Sequence, residues 1–245
     1  MTKEQTHEEN YSIYNSDCME VITTLEDASI DLSVYSPPFA GLYNYSSSER
    51  DFSNCNSIDE FLQQYEFLVK EMARVTKKGR INAIHITDMC EVNGTLSDFP
   101  NKVIELHLKY GFEYKCRVTV GKEPLKVKIR TMVQSLMHKY IIADSTRCFP
   151  ANPDYILIFR KKGESEEPVT HTCGMSNYAG ETLILPHMVN AWNNANNTSL
   201  TESELEEFLK KEEEDAKITK LNFYVWQRYA NAIWDDIREG NVLPF

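Results

Sequence analysis

The regular exchange of two hydrophobic periods over the first two thirds of the chain limits its fold more than any other feature. Residues 12–17 are short and β-like, 18–25 have helical spacing, and 29–35 alternate Ile30, Leu32 and Val34 as a strand does. Pro37 and Pro38 stop that strand, because neither donates to a ladder and each restricts the residue before it. A loop of small and polar residues is expected over 40–56. Ser57-x-x-Glu60 then makes a capping box for an amphipathic helix through about Val75, closed by Lys77-Lys78-Gly79. Residues 80–87 read as a buried strand, 97–110 as a helix ended by Gly111, and 112–120 and 155–160 as further strands. Between the last two lies a weakly helical, basic segment over 129–142. Strands alternating with helices imply an α/β domain, a doubly wound sheet with helices on both faces, occupying residues 1–162.

The pattern changes after that point. Residues 161–168 resemble a linker, Thr201-x-x-Glu204 caps an acidic helix, and 223–237 form a further helical segment rich in aromatics. Residues 163–245 are therefore expected to be a linker and a mainly helical appendage, and no internal repeat is visible. No stretch approaches the roughly 20 apolar residues of a membrane helix, and the polar, acidic start MTKEQTHEEN is unlike a secretory signal. A soluble, cytoplasmic protein without membrane partners is expected. The six cysteines form no C-x-x-C pair, which suggests neither a metal site nor a disulfide framework. Asn93-Gly94-Thr95 and Asn196-Asn197-Thr198 fit a glycosylation pattern that belongs to secreted proteins and is set aside.

A formal net charge of −11 argues against indiscriminate phosphate binding. The charge is unevenly placed, however. Over 115–130 six basic residues (Lys115, Arg117, Lys122, Lys126, Lys128 and Arg130) face one acid, Glu123, whereas over 202–215 eight acids face Lys210 and Lys211. Lys122, Lys126, Lys128 and Arg130 are the candidates for a nucleic-acid backbone; the alternative is a solvated charged surface.

The stretch Asp31 to Phe39, DLSVYSPPF, delivers a hydroxyl, two prolines and an aromatic at the carboxyl end of a strand, where open α/β sheets place ligands. An exocyclic amine on cytosine or adenine is a poor nucleophile, because its lone pair is delocalised into the ring. The Ser36 hydroxyl and the Pro37 carbonyl can accept both amino hydrogens and bias the nitrogen toward a tetrahedral shape, and the restrained Pro37–Pro38 backbone fixes that carbonyl. Phe39 offers a flat face to an extruded base, a contact worth about 1–3 kcal/mol. No strong general base is needed in this scheme. A bare Ser-Pro-Pro-Phe is otherwise a strand-ending turn.

The longer context, Tyr14-Asn-Ser-Asp-Cys-Met-Glu-Val through Ser-Pro-Pro-Phe, then Leu42-Tyr-Asn-Tyr-Ser and Ser48-Glu-Arg-Asp51, resembles the DNA amino-methyltransferases (cytosine-N4 or adenine-N6) whose target-base motif precedes the cofactor loop. The resemblance runs over about residues 11–162 and is nearest to phage-type members. It implies a Rossmann-like sheet, S-adenosylmethionine as cofactor, and double-stranded DNA with an extruded base as partner, in DNA methylation of the restriction–modification kind. A leading Ser implies cytosine N4 over adenine N6. It also implies that Asp17 contacts the cofactor's adenosine with Cys18 beside it; the alternative for Asp17 is a helix N-cap. His85 and Asp88 would line the cofactor cleft, with a satisfied core histidine as the alternative for His85.

Family members of this order continue into a strand ending in F-x-G-x-G, and none is found. Phe39-Ala-Gly41 lacks the second glycine, Gly174 and Gly180 follow no strand, and the segment Trp226 to Trp234 resembles the stretch just before the missing part. The sheet is thus expected to be incomplete, with half the cofactor pocket absent. Three readings compete: an enzyme completed by a second polypeptide, an inactive protein that binds DNA or a protein, or an enzyme acting on RNA or a protein amide. The resemblance also implies a homodimer, with Phe223, Tyr224, Trp226, Tyr229 and Trp234 as a candidate interface; the alternative is that this segment packs on its own core.

Overall fold

The computed structural model describes residues 4–38, 45–89, 95–169, 186–213 and 230–234. They fall into two compact units, one of residues up to Glu166 together with Ile233 and Trp234, the other from Glu167 to Ala232.

In the first unit β1 (Glu4–His7) and β2 (Ser12–Asn15) form an antiparallel hairpin that leads into α1 (Cys18–Ile22). The central sheet contains β3 (Ile30–Tyr35), β4 (Thr76–Thr87), β5 (Phe112–Val120), β6 (Asp154–Lys161) and β7 (Ile233–Trp234), in the order β3-β4-β6-β5-β7. β3 runs parallel to β4 and β5 parallel to β7, while β6 lies antiparallel between β4 and β5. Helices α2 (Ile58–Val75) and α3 (Phe99–Lys109) cover one face. The face bearing Leu32 and Val34 is open, the two side chains being 59% and 71% exposed.

Helix α2 forms because Phe61, Tyr65, Leu68, Val69, Met72 and Val75 fall on one stripe, and all six are buried. Both residues of the expected box cap the helix, though the return bond goes one residue further out: Ser57 Oγ accepts from Glu60 N at 3.1 Å, and Glu60 Oε2 accepts from Asn56 N, not Ser57 N, at 2.8 Å. Ser57→Ala is expected to cost about 1 kcal/mol, read as a lower urea midpoint with an unchanged slope.

The end of α2 differs from expectation. Rather than winding down through Lys77-Lys78-Gly79, the chain passes from Val75 directly into β4 at Thr76. Two of the carbonyls that a helix end leaves open, those of Arg74 and Val75, are taken by the amides of Ala28 and Ser29 as the chain approaches β3. Gly79, at φ +74°, sits in a bulge, since the register jumps from Ile30↔Thr76 to Leu32↔Ile81. The bulge aims Lys77 and Arg80 at the two oxygens of Asp31, at 2.7 and 2.6 Å.

The core against α2 is aromatic: Phe61 and Tyr65 stack at 5.4 Å, Phe99 meets Phe61 edge-on, and Phe112, Leu157 and Phe159 complete it with Ile84 and Ile86. His107 of α3 lies fully buried among them and stacks on Phe159 at 4.5 Å.

The basic segment is helical in pieces, α4 (Pro124–Thr131) and α5 (His138–Ala143) with a 3-10 turn at Gln134–Leu136 between them. The aromatic segment over 223–237 was expected to be helical; most of it, including Phe223, Tyr224, Trp226 and Tyr229, lies outside the described residues. Its described part corrects the reading, because Ile233 and Trp234 form β7, and Trp234 O accepts from Gly121 N at 3.0 Å. A two-residue strand exists only through its neighbour, so no local period reveals it.

In the second unit α6 (Pro186–Asn196) packs on α7 (Glu202–Glu213) through buried Trp192 and Leu205. Thr201 and Glu204 cap α7 reciprocally, Glu204 Oε2 accepting from Thr201 N at 2.8 Å. No helix among the described residues is long and apolar enough to cross a membrane.

Candidate active site

The sheet order brings three strand ends together. β3 ends at Tyr35, β4 at Thr87, and antiparallel β6 begins at Asp154, whose register partners are Thr87 on one side and Val120 of β5 on the other. Ser36, Pro37 and Pro38 follow β3 directly; Ser36 is exposed and Pro37 buried. Tyr35 anchors the motif from below through a 2.9 Å hydrogen bond between its hydroxyl and that of Tyr65. Burial pushes the Tyr35 hydroxyl up to about 12 against the opposing pull of that bond, so it stays neutral.

At the edge of β4, His85 bridges two groups. Its Nδ1 lies 3.3 Å from Ser36 Oγ and its Nε2 3.2 Å from Asp154 Oδ2. The second oxygen of Asp154 takes the Lys122 ammonium at 2.6 Å. Burial alone would raise the Asp154 carboxyl, but hydrogen bonds from His85 and Lys122, with the Lys122 charge, outweigh it and hold the group below its ordinary value. With its side chain 43% exposed and two polar partners, His85 is not a core histidine; His107 is. Asp88 accepts from the Tyr155 hydroxyl at 3.0 Å, and the Arg117 guanidinium stands 4.7 Å above the Tyr155 ring.

Asp17 caps α1, its Oδ1 accepting from Met19 N at 2.8 Å, while Oδ2 pairs with Arg50 at 3.0 Å. Arg50 also reaches Glu20 at 2.8 Å. The acid assigned to the cofactor is thus engaged on both oxygens by the chain itself. Cys18 opens α1 and is exposed.

The described members of the four candidate cations have different partners. Lys122, 17% exposed, belongs to the His85–Asp154 cluster. Lys126 and Lys128 lie on α4, Lys126 half-exposed and 3.5 Å from Glu123. The side chain of Arg130, like Phe39 and the glycines 174 and 180, lies outside the described residues. Asp154 is the residue that sequence reasoning missed. An acid opening an apolar strand was visible in Asp154-Tyr-Ile-Leu, but its place beside His85 depends on β6 running antiparallel to β4.

The mixed sheet with its helices is an α/β, Rossmann-like fold in incomplete form. No family model matches the chain, and no curated protein matches its sequence. In structure the chain is similar to a candidate DNA modification methylase of Thermus thermophilus, with a TM-score of 0.54 and 16% identity over 92% of this chain and 67% of that one. The same protein complexed with S-adenosyl-L-methionine gives 0.52 and 17% over 93% and 67%, and its selenomethionine derivative 0.52 and 16% over 91% and 65%. This chain therefore spans about two thirds of the length of that neighbour.

Proposed function

We propose that the chain takes part in methyl transfer from S-adenosylmethionine to an exocyclic amino group of a DNA base, cytosine N4 in preference to adenine N6. The observation that carries this reading is the placement of Ser36 Oγ at the end of β3, between open solvent and His85 Nδ1. A hydroxyl so held accepts one amino hydrogen, and the Pro37 carbonyl is the candidate for the other. The cofactor supplies the methyl group.

The residues of this chain fit the base side of such a site better than the cofactor side, because both oxygens of Asp17 already have a partner within the chain, Met19 N and Arg50. We therefore include in the proposal a second polypeptide that supplies the remaining wall. The outer edge of β3, which has no strand partner other than β4 among the described residues, and the open face bearing exposed Leu32 and Val34 support that addition.

The test is expression in a host free of DNA methylation, together with the reading frames adjacent to its own, followed by nucleoside mass spectrometry. N4-methylcytosine that disappears in Ser36→Ala is expected. N6-methyladenine would change the target base, and no methylated base in DNA would sink the reading.

For the phosphate contacts, Lys126→Glu with Lys128→Glu is expected to weaken DNA binding for all sequences alike. The slope of log affinity against log salt should become shallower by about 2, from roughly 0.9 per contact. An unchanged slope in a fluorescence-anisotropy titration would place α4 away from DNA.

A further inference from the structure

We propose that His85, oriented by Asp154 and Lys122, receives through Ser36 the proton that the target amine sheds on methylation. The proposal rests on the functional reading above and adds an acceptor that the scheme otherwise lacks.

The three side chains meet because of strand register. Asp154 sits opposite Thr87, and His85, two residues earlier on β4, projects from the same face as Thr87. Lys122 follows two residues after Val120, the partner of Asp154 on β5. The result is a continuous row: Ser36 Oγ, 3.3 Å to His85 Nδ1, His85 Nε2, 3.2 Å to Asp154 Oδ2, and Asp154 Oδ1, 2.6 Å to Lys122 Nζ.

The polarity of the row follows from what each group can do. An ionised carboxylate only accepts, so neutral His85 carries its hydrogen on Nε2 and donates it to Asp154. Nδ1 is then bare and accepts from the Ser36 hydroxyl. With its own hydrogen committed to His85, Ser36 Oγ turns its lone pairs toward solvent, where an amine N–H can donate to them. Lys122 holds the other carboxylate oxygen and prevents Asp154 from swinging away.

When the amine lone pair forms the new nitrogen–carbon bond, the electrons of the broken carbon–sulfur bond leave with sulfur and the nitrogen becomes cationic. The nitrogen then loses one proton to Ser36 Oγ and keeps the bonding pair, while the hydrogen of Ser36 moves to His85 Nδ1. The imidazolium so formed faces the Asp154 carboxylate, and its Nδ1 proton returns through exposed Ser36 Oγ to water once the methylated base has left. His85 and Asp154 are positioning residues here, acting on the substrate only through Ser36.

Asp154→Asn tests this directly. Lys122 will claim the amide oxygen and leave the amide N–H₂ facing His85, so Nε2 must become the acceptor and the ring hydrogen must move to Nδ1. Nitrogen-15 NMR of the chain, with His85→Gln assigning the signals, is expected to show the Nε2–H tautomer in the unmutated protein and Nδ1–H in Asp154→Asn. Methyl transfer, measured in the completed enzyme, should fall by about 10²- to 10⁴-fold in the same variant. An Nδ1–H tautomer in the unmutated protein overturns the proposal, as does Asp154→Asn transferring methyl within threefold of the unmutated rate. If the unmutated enzyme methylates no DNA, the functional reading fails and takes this proposal with it; a relay failure alone leaves DNA methylation intact.

Discussion

Ser36→Ala is expected to lower the rate of methyl transfer by about 10²- to 10³-fold in the completed enzyme, the loss typical of one preorganised hydrogen-bonding group aimed at the reacting atoms. The effect should fall on the single-turnover rate more than on DNA affinity, because the substitution leaves untouched the proposed stacking and phosphate contacts. The fold should survive. Ser36 is exposed and lies beyond the last ladder position of β3, whose pairing with β4 and Tyr35–Tyr65 anchor it does not touch. Phe39→Ala is expected to cost about 1–3 kcal/mol of base stacking, mainly as weaker capture of the extruded base. Rapid-quench measurement of labelled methyl in DNA, beside a thermal melt of each variant, separates the two effects. A Ser36→Ala enzyme that keeps a third or more of the rate would remove Ser36 from the chemistry.

The largest effect on stability is expected from acid, through His107. Its Nδ1–H donates to Val103 O at 2.8 Å, while its Nε2 is buried without a hydrogen-bond partner among Tyr65, Phe112 and Phe159. Burial lowers its pKa from 6.5 to about 4, slightly opposed by the bond to Val103. The folded protein therefore keeps the ring neutral while the unfolded chain takes up a proton once the pH drops below about 6.5. The stability that depends on neutral His107 is intact above that pH, is lost as the pH falls toward about 4, and changes no further below it. The full loss is about 3 kcal/mol, of which about 2 should have appeared by pH 5.

Carboxylates held below their ordinary values, Asp31 by Lys77 and Arg80 and Glu66 by Lys109 and Tyr110, weaken the fold at lower pH as they protonate. Comparison with His107→Leu removes that common part. Urea midpoints at pH 7 and pH 5 should move apart far more in the parent than in His107→Leu, and equal drops in both would show that His107 does not drive the acid response.

Much of this protein is written locally. The stripe of α2, its Ser57–Glu60 cap, the Thr201–Glu204 cap of α7, the alternation of β3 and the proline stop after Tyr35 all rest on hydrogen bonds and periods spanning a few residues. Such features are legible because the same residues that display the pattern also satisfy it. Asp17 as an N-cap belongs with them.

What the tertiary structure alone decided concerns partners far apart in the chain. Arg50 pairs with Asp17, the amides of Ala28 and Ser29 end α2 at Val75, β7 exists only beside β5, and His85 meets both Ser36 and Asp154. Antiparallel insertion of β6 between β4 and β5 is the step behind the last of these, because it sets the beginning of one strand against the end of another. Strand order and direction are fixed by how whole faces bury one another and close their ladders, and that is a property of the assembled sheet which no short window of residues contains.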